Sequence, residues 1–387
     1  MRDTASTSRR QLLTWTAIAL LQALPAGAQS TSWSLFRGDH RQSGRALSAL
    51  PQQLALLWAV RPAAADTLGG GGPAGIESTA AIWNGTVYSG NLDGHLYALD
   101  LQSGDLIWSF AARGEIKSSA GVAAGRLFFG DESGRFYALD AITGKPLWTF
   151  DAEGEITSSA HPWGDRVLFG SYDNSVYCLA ATDGRLIWKA ATEGYVHGTP
   201  AIFDSTVVTV GCDGFLRSLA MAQGRQVGAV EIGAYVTASC AIDDSATAYF
   251  GTFGNQVVAV DLLTGKVRWH YQHPTRQQPF YASAALADEI VAVAGRDRLV
   301  HGLDRKSGHA RWLFDAGARI DSSPVISGER LFFGSSKGVV HALDVESGVE
   351  VWRYDIGASI VASVAVGDGR LVLGSDDGVV YCFGIPD

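Results

Sequence analysis

Cysteine is scarce in this sequence and widely spaced. Only four occur among 387 residues, and no two of them adjoin or are separated by two residues. Haem attachment and zinc ribbons require such close spacing, so both are excluded. We expect buried free thiols at these four positions, which are Cys178, Cys212, Cys240 and Cys382.

Clustered positive charge is also missing. The chain has 30 Lys and Arg against 39 Asp and Glu, a formal net charge of −9. No basic run with interleaved aromatic residues offsets this balance, which excludes nucleic acid as a partner. P-loop, nucleophile-elbow, H-E-x-x-H and dinucleotide signatures are absent as well, so the sequence offers no common catalytic motif.

No apolar run is long enough to anchor a mature chain in a membrane. Near the amino terminus, Arg9 and Arg10 precede a mildly apolar stretch that ends at Leu24. This pattern is typical of a cleavable twin-arginine export signal. We interpret residues 1–28 as that signal, cleaved near Ala28, and expect a soluble periplasmic or secreted protein; an uncleaved anchor is the alternative.

Glycine, by contrast, is abundant at 46 residues, and one short pattern recurs at a fixed period. The pattern is an apolar residue, a variable residue, a small residue and then Ser or Thr, and it returns every 40 residues with one interval of 44. Such a period is typical of repeats that must stack on copies of themselves to bury a core. The eight repeats begin at Ile76, Ile116, Ile156, Val196, Val236, Phe280, Ile320 and Ile360.

Each repeat predicts four short antiparallel strands. In residues 116–155 we predict strand a at about 116–122, strand b at 126–130, strand c at 135–140 and strand d at 146–150. Gly134 and Gly144 separate the later strands, as tight hairpins require.

The end of each repeat carries the signature A-x-D-x-x-[ST]-G-x-x-x-W, complete or nearly so. We expect the tryptophan to pack flat against the neighbouring sheet and to be structural rather than functional. One repeat has Ala220 and Gly228 in place of the Asp and the Trp, which predicts its weakest inter-sheet packing. The tryptophans assigned to this structural role are Trp58, Trp108, Trp148, Trp188, Trp269, Trp312 and Trp352.

The eighth repeat ends where its strand c should end, and the missing strand lies near the other end of the chain. Residues 54–60 match strand d, with Trp58 at the tryptophan position. We therefore predict an all-β fold, an eight-bladed β-propeller of four-stranded antiparallel blades over residues 54–387, closed by an N-terminal strand that completes the last blade. Residues 29–53 form an N-terminal extension.

With this tryptophan signature, eight repeats and the segment Trp33–Asp39, the chain resembles the PQQ-binding-like propeller repeat family over residues 33–387. That family includes pyrroloquinoline quinone dehydrogenases and BamB-like scaffolds of outer-membrane β-barrel assembly. The resemblance implies an exported, non-catalytic protein that binds an envelope protein partner or a small ligand, with outer-membrane protein assembly as the expected setting. The alternative is a PQQ- and calcium-dependent quinoprotein oxidoreductase. The adjacent cysteines and calcium ligands of such enzymes do not stand out here, nor does the lipid-bearing cysteine of BamB-like proteins.

Specificity is expected where the repeats differ. The variable residue of each pattern should lie at one mouth of the central channel, and it mixes acid, base, imidazole and phenol. We predict a ligand-binding ring there and no metal site, although solvated positions without a function would vary in the same way. The ring comprises Glu77, Lys117, Thr157, His197, Thr237, Tyr281 and Asp321, with Val361 at the eighth position.

Two loops on the same face are longer than their equivalents, residues 61–75 and 271–279. We expect them to cover the channel mouth or to contact a partner; plain connectors are the alternative. His301 and His341 share one strand position in adjacent repeats, and we expect them to pack in the core rather than bind metal.

Overall fold

The structure is a computed structural model and describes residues 32–47, 49–63 and 74–386. The predicted export signal lies outside the described residues, as do residues 64–73 of the first lengthened loop. Every regular element in the described part is a β-strand. None of these segments forms a helix that could span a bilayer.

The strands form eight four-stranded antiparallel sheets, which are the blades of a propeller and confirm the predicted fold. Each sheet follows chain order from its innermost strand outward, except the last. Blades 1 and 2 contain β2 (Ala81–Trp83), β3 (Thr86–Gly90), β4 (His95–Asp100), β5 (Leu106–Ala111), β6 (Gly121–Ala123), β7 (Arg126–Gly130), β8 (Arg135–Asp140) and β9 (Pro146–Asp151). Blades 3 and 4 contain β10 (His161–Trp163), β11 (Arg166–Ser171), β12 (Ser175–Ala180), β13 (Leu186–Ala191), β14 (Ala201–Phe203), β15 (Thr206–Val210), β16 (Phe215–Ala220) and β17 (Gln226–Glu231).

The remaining blades repeat this arrangement. Blades 5 and 6 contain β18 (Ala241–Ile242), β19 (Thr247–Gly251), β20 (Val257–Asp261), β21 (Lys266–Tyr271), β22 (Ala285–Leu286), β23 (Ile290–Ala294), β24 (Leu299–Asp304) and β25 (Ala310–Asp315). Blades 7 and 8 contain β26 (Val325–Ser327), β27 (Arg330–Gly334), β28 (Val339–Asp344), β29 (Glu350–Asp355), β30 (Ala365–Gly367), β31 (Arg370–Gly374), β32 (Val380–Gly384) and, from the other end of the chain, β1 (Ala55–Val60).

Blade 8 closes the ring as the sequence predicts. β1 pairs with β32, and Trp58 lies opposite Cys382. The closing strand therefore gives the last sheet its fourth strand and leaves the ring without an open seam between first and last blades.

The innermost strand of each blade is shorter than predicted. Strand a was expected over about 116–122, but β6 covers only Gly121–Ala123. The residues of the repeated pattern lie before the strand, because their polar groups bond to other partners. Ile116 donates its backbone N–H to Asn91 O of the preceding blade, and Ser118 Oγ accepts the N–H of Gly130 in its own blade.

The first residue of the pattern is an apolar wedge between blades. Ile156 packs over Gly130, the last residue of β7 in the preceding blade, where any side chain would overlap its Cγ2 methyl. The same relation holds between Gly170 and Val196 and between Gly334 and Ile360. The repeated glycine is therefore required by close approach between blades.

The fourth residue of the pattern links neighbouring blades around the channel. The backbone N–H at this position donates to the hydroxyl of the equivalent Ser or Thr in the next blade, at 2.8–3.1 Å. The linked residues are Thr79, Ser119, Ser159, Thr199, Ser239, Ser283, Ser323 and Ser363.

An N-terminal strap, residues 33–46, crosses the central channel. Its backbone carbonyls and amides bond to innermost strands of six blades; Ile242, for example, donates to Arg41 O, and Ile326 donates to Gly44 O. Arg37 is fully buried and donates from Nη2 to Ala284 O at 2.8 Å and Pro324 O at 2.7 Å. Burial lowers the pKa of Arg37 to about 9, although Asp39 partly offsets the effect. The strap thus closes the channel at one level.

Candidate functional site

A cavity of about 370 Å³, here called the cup, lies in the central channel above the strap. Phe36 of the strap lines it, and the linked Ser and Thr residues contribute to its walls. All eight variable positions of the repeated pattern also line this one cavity: Glu77, Lys117, Thr157, His197, Thr237, Tyr281, Asp321 and Val361. The structure therefore brings together the whole predicted ring.

A second set of variable residues stands beside the ring, in the turns between strands b and c. Each donates its backbone N–H to the carbonyl of the residue that precedes the repeated pattern in its own blade. Sequence reasoning missed these positions, because the residues around them in the turns vary as well. They are Leu92, Glu132, Tyr172, Cys212, Phe253, Arg296, Ser336 and Asp376.

One side of the cup is acidic around a single lysine. Lys117 Nζ lies 2.7 Å from Glu132 Oε1 and 3.6 Å from Glu115 Oε2. Burial opposes the charge of Lys117, but the hydrogen bond that Lys117 donates to Glu132 and the surrounding carboxylates raise its pKa. The pKa of Glu77 is also raised, chiefly by burial; Lys117 opposes this shift, and the charges of Asp376, Glu132 and Glu115 reinforce it.

The next sector of the cup contains a neutral imidazole. His197 Nδ1 lies 2.6 Å from the hydroxyl of Tyr172 and 3.4 Å from Thr157 Oγ1. Burial lowers the pKa of His197, and the charge of Lys117 adds to this effect. Burial also raises the pKa of Tyr172, so the pair is uncharged near neutral pH.

The opposite sector is built around a guanidinium. Arg296 donates from Nε to Asp321 Oδ1 at 2.7 Å and from Nη2 to Asp321 Oδ2 at 3.3 Å. Its Cζ lies 3.6 Å from the centre of the Tyr281 ring. The hydrogen bond to Asp321 is the largest influence on Arg296 and raises its pKa. In this sector the guanidinium of Arg296 therefore already contacts both the carboxylate of Asp321 and the aromatic face of Tyr281.

Aromatic side chains are exposed on the rim above these residues. Tyr195 is 52% exposed, Tyr235 60% and Phe253 43%. Tyr195 stacks on Tyr172 with ring centres 4.8 Å apart, and Phe253 meets Tyr281 edge to face at 5.6 Å. The rim thus combines exposed apolar surface with polar groups, as protein-binding surfaces do.

The described parts of the two long loops are held against blades. Arg276 donates to Asp297 O at 3.0 Å and to Asp315 Oδ2 at 2.9 Å. Arg61 donates from Nε to Asp377 O at 3.1 Å. These bonds fix the loop ends beside the mouth; neither Arg61 nor Arg276 lines the cup.

The two histidines expected in the core have carboxylate partners there. His301 Nε2 lies 3.0 Å from Asp297 Oδ2, and His341 Nδ1 lies 2.6 Å from Glu350 Oε1. Among the described residues, no three His, Cys, Asp or Glu side chains are grouped so that they could hold a metal ion.

The cup is a polar cavity whose charged groups mostly bond to one another, as Lys117 does to Glu132 and Arg296 does to Asp321. This arrangement is suited to binding.

Comparison with known proteins identifies the repeat. The profile of a family described as outer membrane protein assembly factor BamB matches residues 44–162, 155–279 and 275–385. Short stretches also resemble the dehydrogenase subunit of quinone alcohol dehydrogenases from Gluconacetobacter polyoxogenes and Komagataeibacter europaeus, with 33% identity over 81 residues in each. These matches cover 21% of this chain and 10% of the length of those curated relatives.

Solved structures share the fold. BamB from Moraxella catarrhalis superposes with a TM-score of 0.74 and 20% identity, covering 86% of this chain and 100% of that one. Quinohemoprotein alcohol dehydrogenase from Comamonas testosteroni superposes with a TM-score of 0.77 and 13% identity, covering 92% and 81%. BamB and the alcohol dehydrogenase therefore have the same architecture, and the fold alone does not separate their functions.

Proposed function

Because this chain belongs to the family of outer membrane protein assembly factor BamB, we propose that it is an exported, non-catalytic propeller that binds a polypeptide partner at its channel mouth. The proposed setting is outer-membrane protein assembly in the cell envelope, after export through the signal in residues 1–28. The observation that carries the proposal is the mouth itself, where a diverse ring lies below a rim of exposed aromatic residues.

The polar side chains of the cup hold one another in fixed positions. Lys117 bonds to Glu132, Arg296 bonds to Asp321, and His197 bonds to Tyr172. A fixed polar lining of this kind suits the binding of a partner. A rigid rim of aromatic side chains offers a large contact area at low entropic cost.

The quinoprotein alternative fits this cup less well. Calcium takes six to eight oxygen ligands in proteins, whereas the described residues contain no suitable group of three His, Cys, Asp or Glu side chains. The cup cations Lys117 and Arg296 bond to carboxylates, and Arg319 Nε lies 3.7 Å from Asp321 Oδ2, so an anionic cofactor would compete with an acidic side chain for each of the three. The short match to quinone alcohol dehydrogenases nevertheless keeps this alternative open to test.

Site-specific crosslinking in the envelope tests the proposed function. A photoreactive residue replaces Tyr235 on the rim, and as a control it replaces Ile142, which is 65% exposed on a turn of blade 2 outside the mouth. We expect adducts with β-barrel assembly components at position 235 but not at position 142. Equal labelling at both positions, or no such component at 235, would contradict the proposal.

The quinoprotein alternative is tested by measuring cofactor binding and oxidation activity. The purified protein is mixed with PQQ and calcium, and absorbance and dye-linked oxidation of alcohols and sugars are followed. We expect neither a stoichiometric complex nor turnover. A calcium-dependent complex that oxidises an alcohol would replace the scaffold function with an enzymatic one.

A further inference from the structure

The seams between blades share one construction. At seven of the eight seams, all within the described residues, an indole from strand d of one blade lies on the next blade. Six of these indoles cover a turn glycine so closely that a Cβ on it would come within 2.5–2.8 Å of the ring. Six of the seven donate Nε1–H to a backbone carbonyl of the next blade at 2.9–3.3 Å.

The seam between blades 3 and 4 shows the complete arrangement. Trp188 lies over Gly224, whose φ is +68°, and donates to Met221 O at 2.9 Å. Three elements recur in such a seam: a turn glycine with positive φ, a carbonyl three residues before it, and an indole that covers both.

The seam between blades 4 and 5 has two of these elements and lacks the third. Gly265 has a φ of +66° and closes the same turn by donating its N–H to Asp261 O at 2.9 Å. The carbonyl of Leu262 stands three residues before it, as Met221 does before Gly224. Gly228 takes the place of the tryptophan. The receiving surface is therefore built, and the side chain that would cover it is absent.

The neighbouring side chains do not fill the position. The nearest atom to a Cβ built on Gly265 is Val230 Cγ2 at 4.0 Å, and a Cβ on Gly228 would meet only Ser218, at 3.6 Å. Among the described residues, no side chain donates to Leu262 O, whose counterparts at other seams accept an indole N–H. Val230, Leu262 and Val267 are only partly buried at this seam.

We propose that this indole slot, formed by Gly228, Val230, Leu262 and Gly265, binds a tryptophan side chain of a partner polypeptide. The occupant is defined by the other seams, where an indole contacts the same turn and donates one hydrogen bond. A flat aromatic ring gains apolar contact on the glycine, and its N–H satisfies the Leu262 carbonyl. This slot is on the blade 4–5 seam, away from the cup lining, and does not depend on the function proposed for the mouth.

The test uses N-acetyl-L-tryptophanamide as the probe and backbone amide NMR of the purified protein as the readout. We expect saturable shifts at Leu262 and Gly265 with a dissociation constant in the millimolar range, because the small contact area of one indole must offset the probe's lost translational and rotational freedom. The analogue with benzothiophene in place of indole has the same shape without the N–H. It should bind about threefold more weakly or worse, as expected for one lost hydrogen bond.

Substitutions at the slot supply the controls. Gly228→Trp places an indole in the seam and should weaken probe binding at least tenfold while raising the melting temperature. Gly228→Leu blocks the slot with a smaller side chain, so probe binding can still be tested with a blocked slot if the tryptophan variant folds poorly. Trp188→Gly creates a second slot and should add shifts at Met221 and Gly224.

The outcomes are distinct. Probe shifts at Leu262 and Gly265 that disappear in both Gly228 variants support the slot. Absent shifts, shifts that persist in Gly228→Trp, or equal binding of the benzothiophene analogue would overturn it. None of these results bears on crosslinking at Tyr235, so the slot and the mouth function succeed or fail separately.

Discussion

The Cγ2 methyl of Ile156 occupies the space above the α-carbon of Gly130, and this contact joins blade 3 to blade 2. The pair explains why the pattern begins with a branched apolar residue and why strand b of the preceding blade ends in glycine. The contact recurs around the ring, so one steric requirement is met at several seams by the same two residue types.

Gly130→Ala should destabilise the protein by about 1–3 kcal/mol, because the added methyl overlaps Ile156 in a packed seam. Ile156→Ala, which removes the overlapping Cγ2 methyl, should alone cost about 2–5 kcal/mol, and the double variant should lose less than the sum, because the methyl on residue 130 then has room. Gly228→Ala is the matched control and should change little, because its methyl would meet only Ser218, at an ordinary contact distance of 3.6 Å. Urea unfolding followed by circular dichroism measures these effects, and strict additivity would contradict the contact.

Trp188→Ala should cost about 3–5 kcal/mol, as expected for a buried tryptophan. Trp188 is 6% exposed and donates to Met221 O. Trp108→Ala should cost less, because Trp108 Nε1 has no acceptor and the Ala141 carbonyl accepts the Tyr88 hydroxyl instead. The urea midpoints of both variants, compared with that of the wild type, show which substitution costs more stability. A larger loss of stability for Trp108→Ala would contradict the expected order.

The blade count, the ring closure and the inter-blade tryptophans followed from periodicity, because each depends on residues that must recur in every repeat. Strand a was predicted too long because apolar alternation does not reveal that Ser118 bonds to Gly130 rather than extending the strand. The strap was classed only as an extension, since Arg37 and its carbonyl partners belong to no repeat.

The ring of the cup could be listed from sequence because it varies among constant neighbours. The hydrogen-bond and ion-pair partners of the ring residues could not be predicted from the sequence, since some pairs form within one blade and others join two blades. His197 meets Tyr172 of the preceding blade, whereas Lys117 meets Glu132 of its own blade. Side-chain length and direction decide which neighbour is reached, and the spacing of the repeat does not contain that information.

Lys117→Met should raise the pKa of Glu77 further, because the ammonium group lowers it and the remaining neighbours, Asp376, Glu132 and Glu115, are all acidic. Carboxyl carbon NMR shifts of Glu77 followed through a pH titration measure the change. Arg319 also lines the cup but is not among the charges that shift Glu77, so Arg319→Gln removes a cation and should leave the pKa of Glu77 unaffected. A pKa of Glu77 that falls in Lys117→Met would show that the acidic sector is wrongly described.

The strap should loosen when its ion pairs are removed. Arg41 pairs with Asp244, and Arg45 Nη1 lies 2.8 Å from Asp288 Oδ1. These pairs are exposed, so each contributes about 0.2–1 kcal/mol. Arg41→Gln and Arg45→Gln should therefore speed amide hydrogen exchange by up to about fivefold at Ile242 and Ile326, which donate to the strap.

High salt should reproduce that faster exchange in the wild type, because it screens exposed charges. Arg217→Gln is the control, since Arg217 pairs with Asp213 of its own blade and does not touch the strap. Unchanged exchange at Ile242 and Ile326 in both strap variants would show that backbone hydrogen bonds alone hold the strap.

Acid should destabilise the fold through the contact between His40 of the strap and His161 of blade 3. His40 Nδ1 lies 3.0 Å from His161 Nε2, with the Trp163 ring edge-on to His40. Burial and then the charge of His40 lower the pKa of His161 to about 3; burial also lowers that of His40, and Asp39 opposes the latter shift. The native state therefore holds neutral rings while the unfolded chain takes up protons below about pH 6.5.

Because the unfolded state binds the extra proton, the free energy of unfolding should fall as pH drops from about 6.5 towards 3. The slope approaches about 1.4 kcal/mol per pH unit for one proton. His161→Ala, the residue that five other blades have at this position, should lose stability at pH 7 but show a shallower dependence below pH 6. Urea unfolding from pH 4 to 7 measures both, and parallel curves for the two proteins would exclude His161 as the acid-sensitive group.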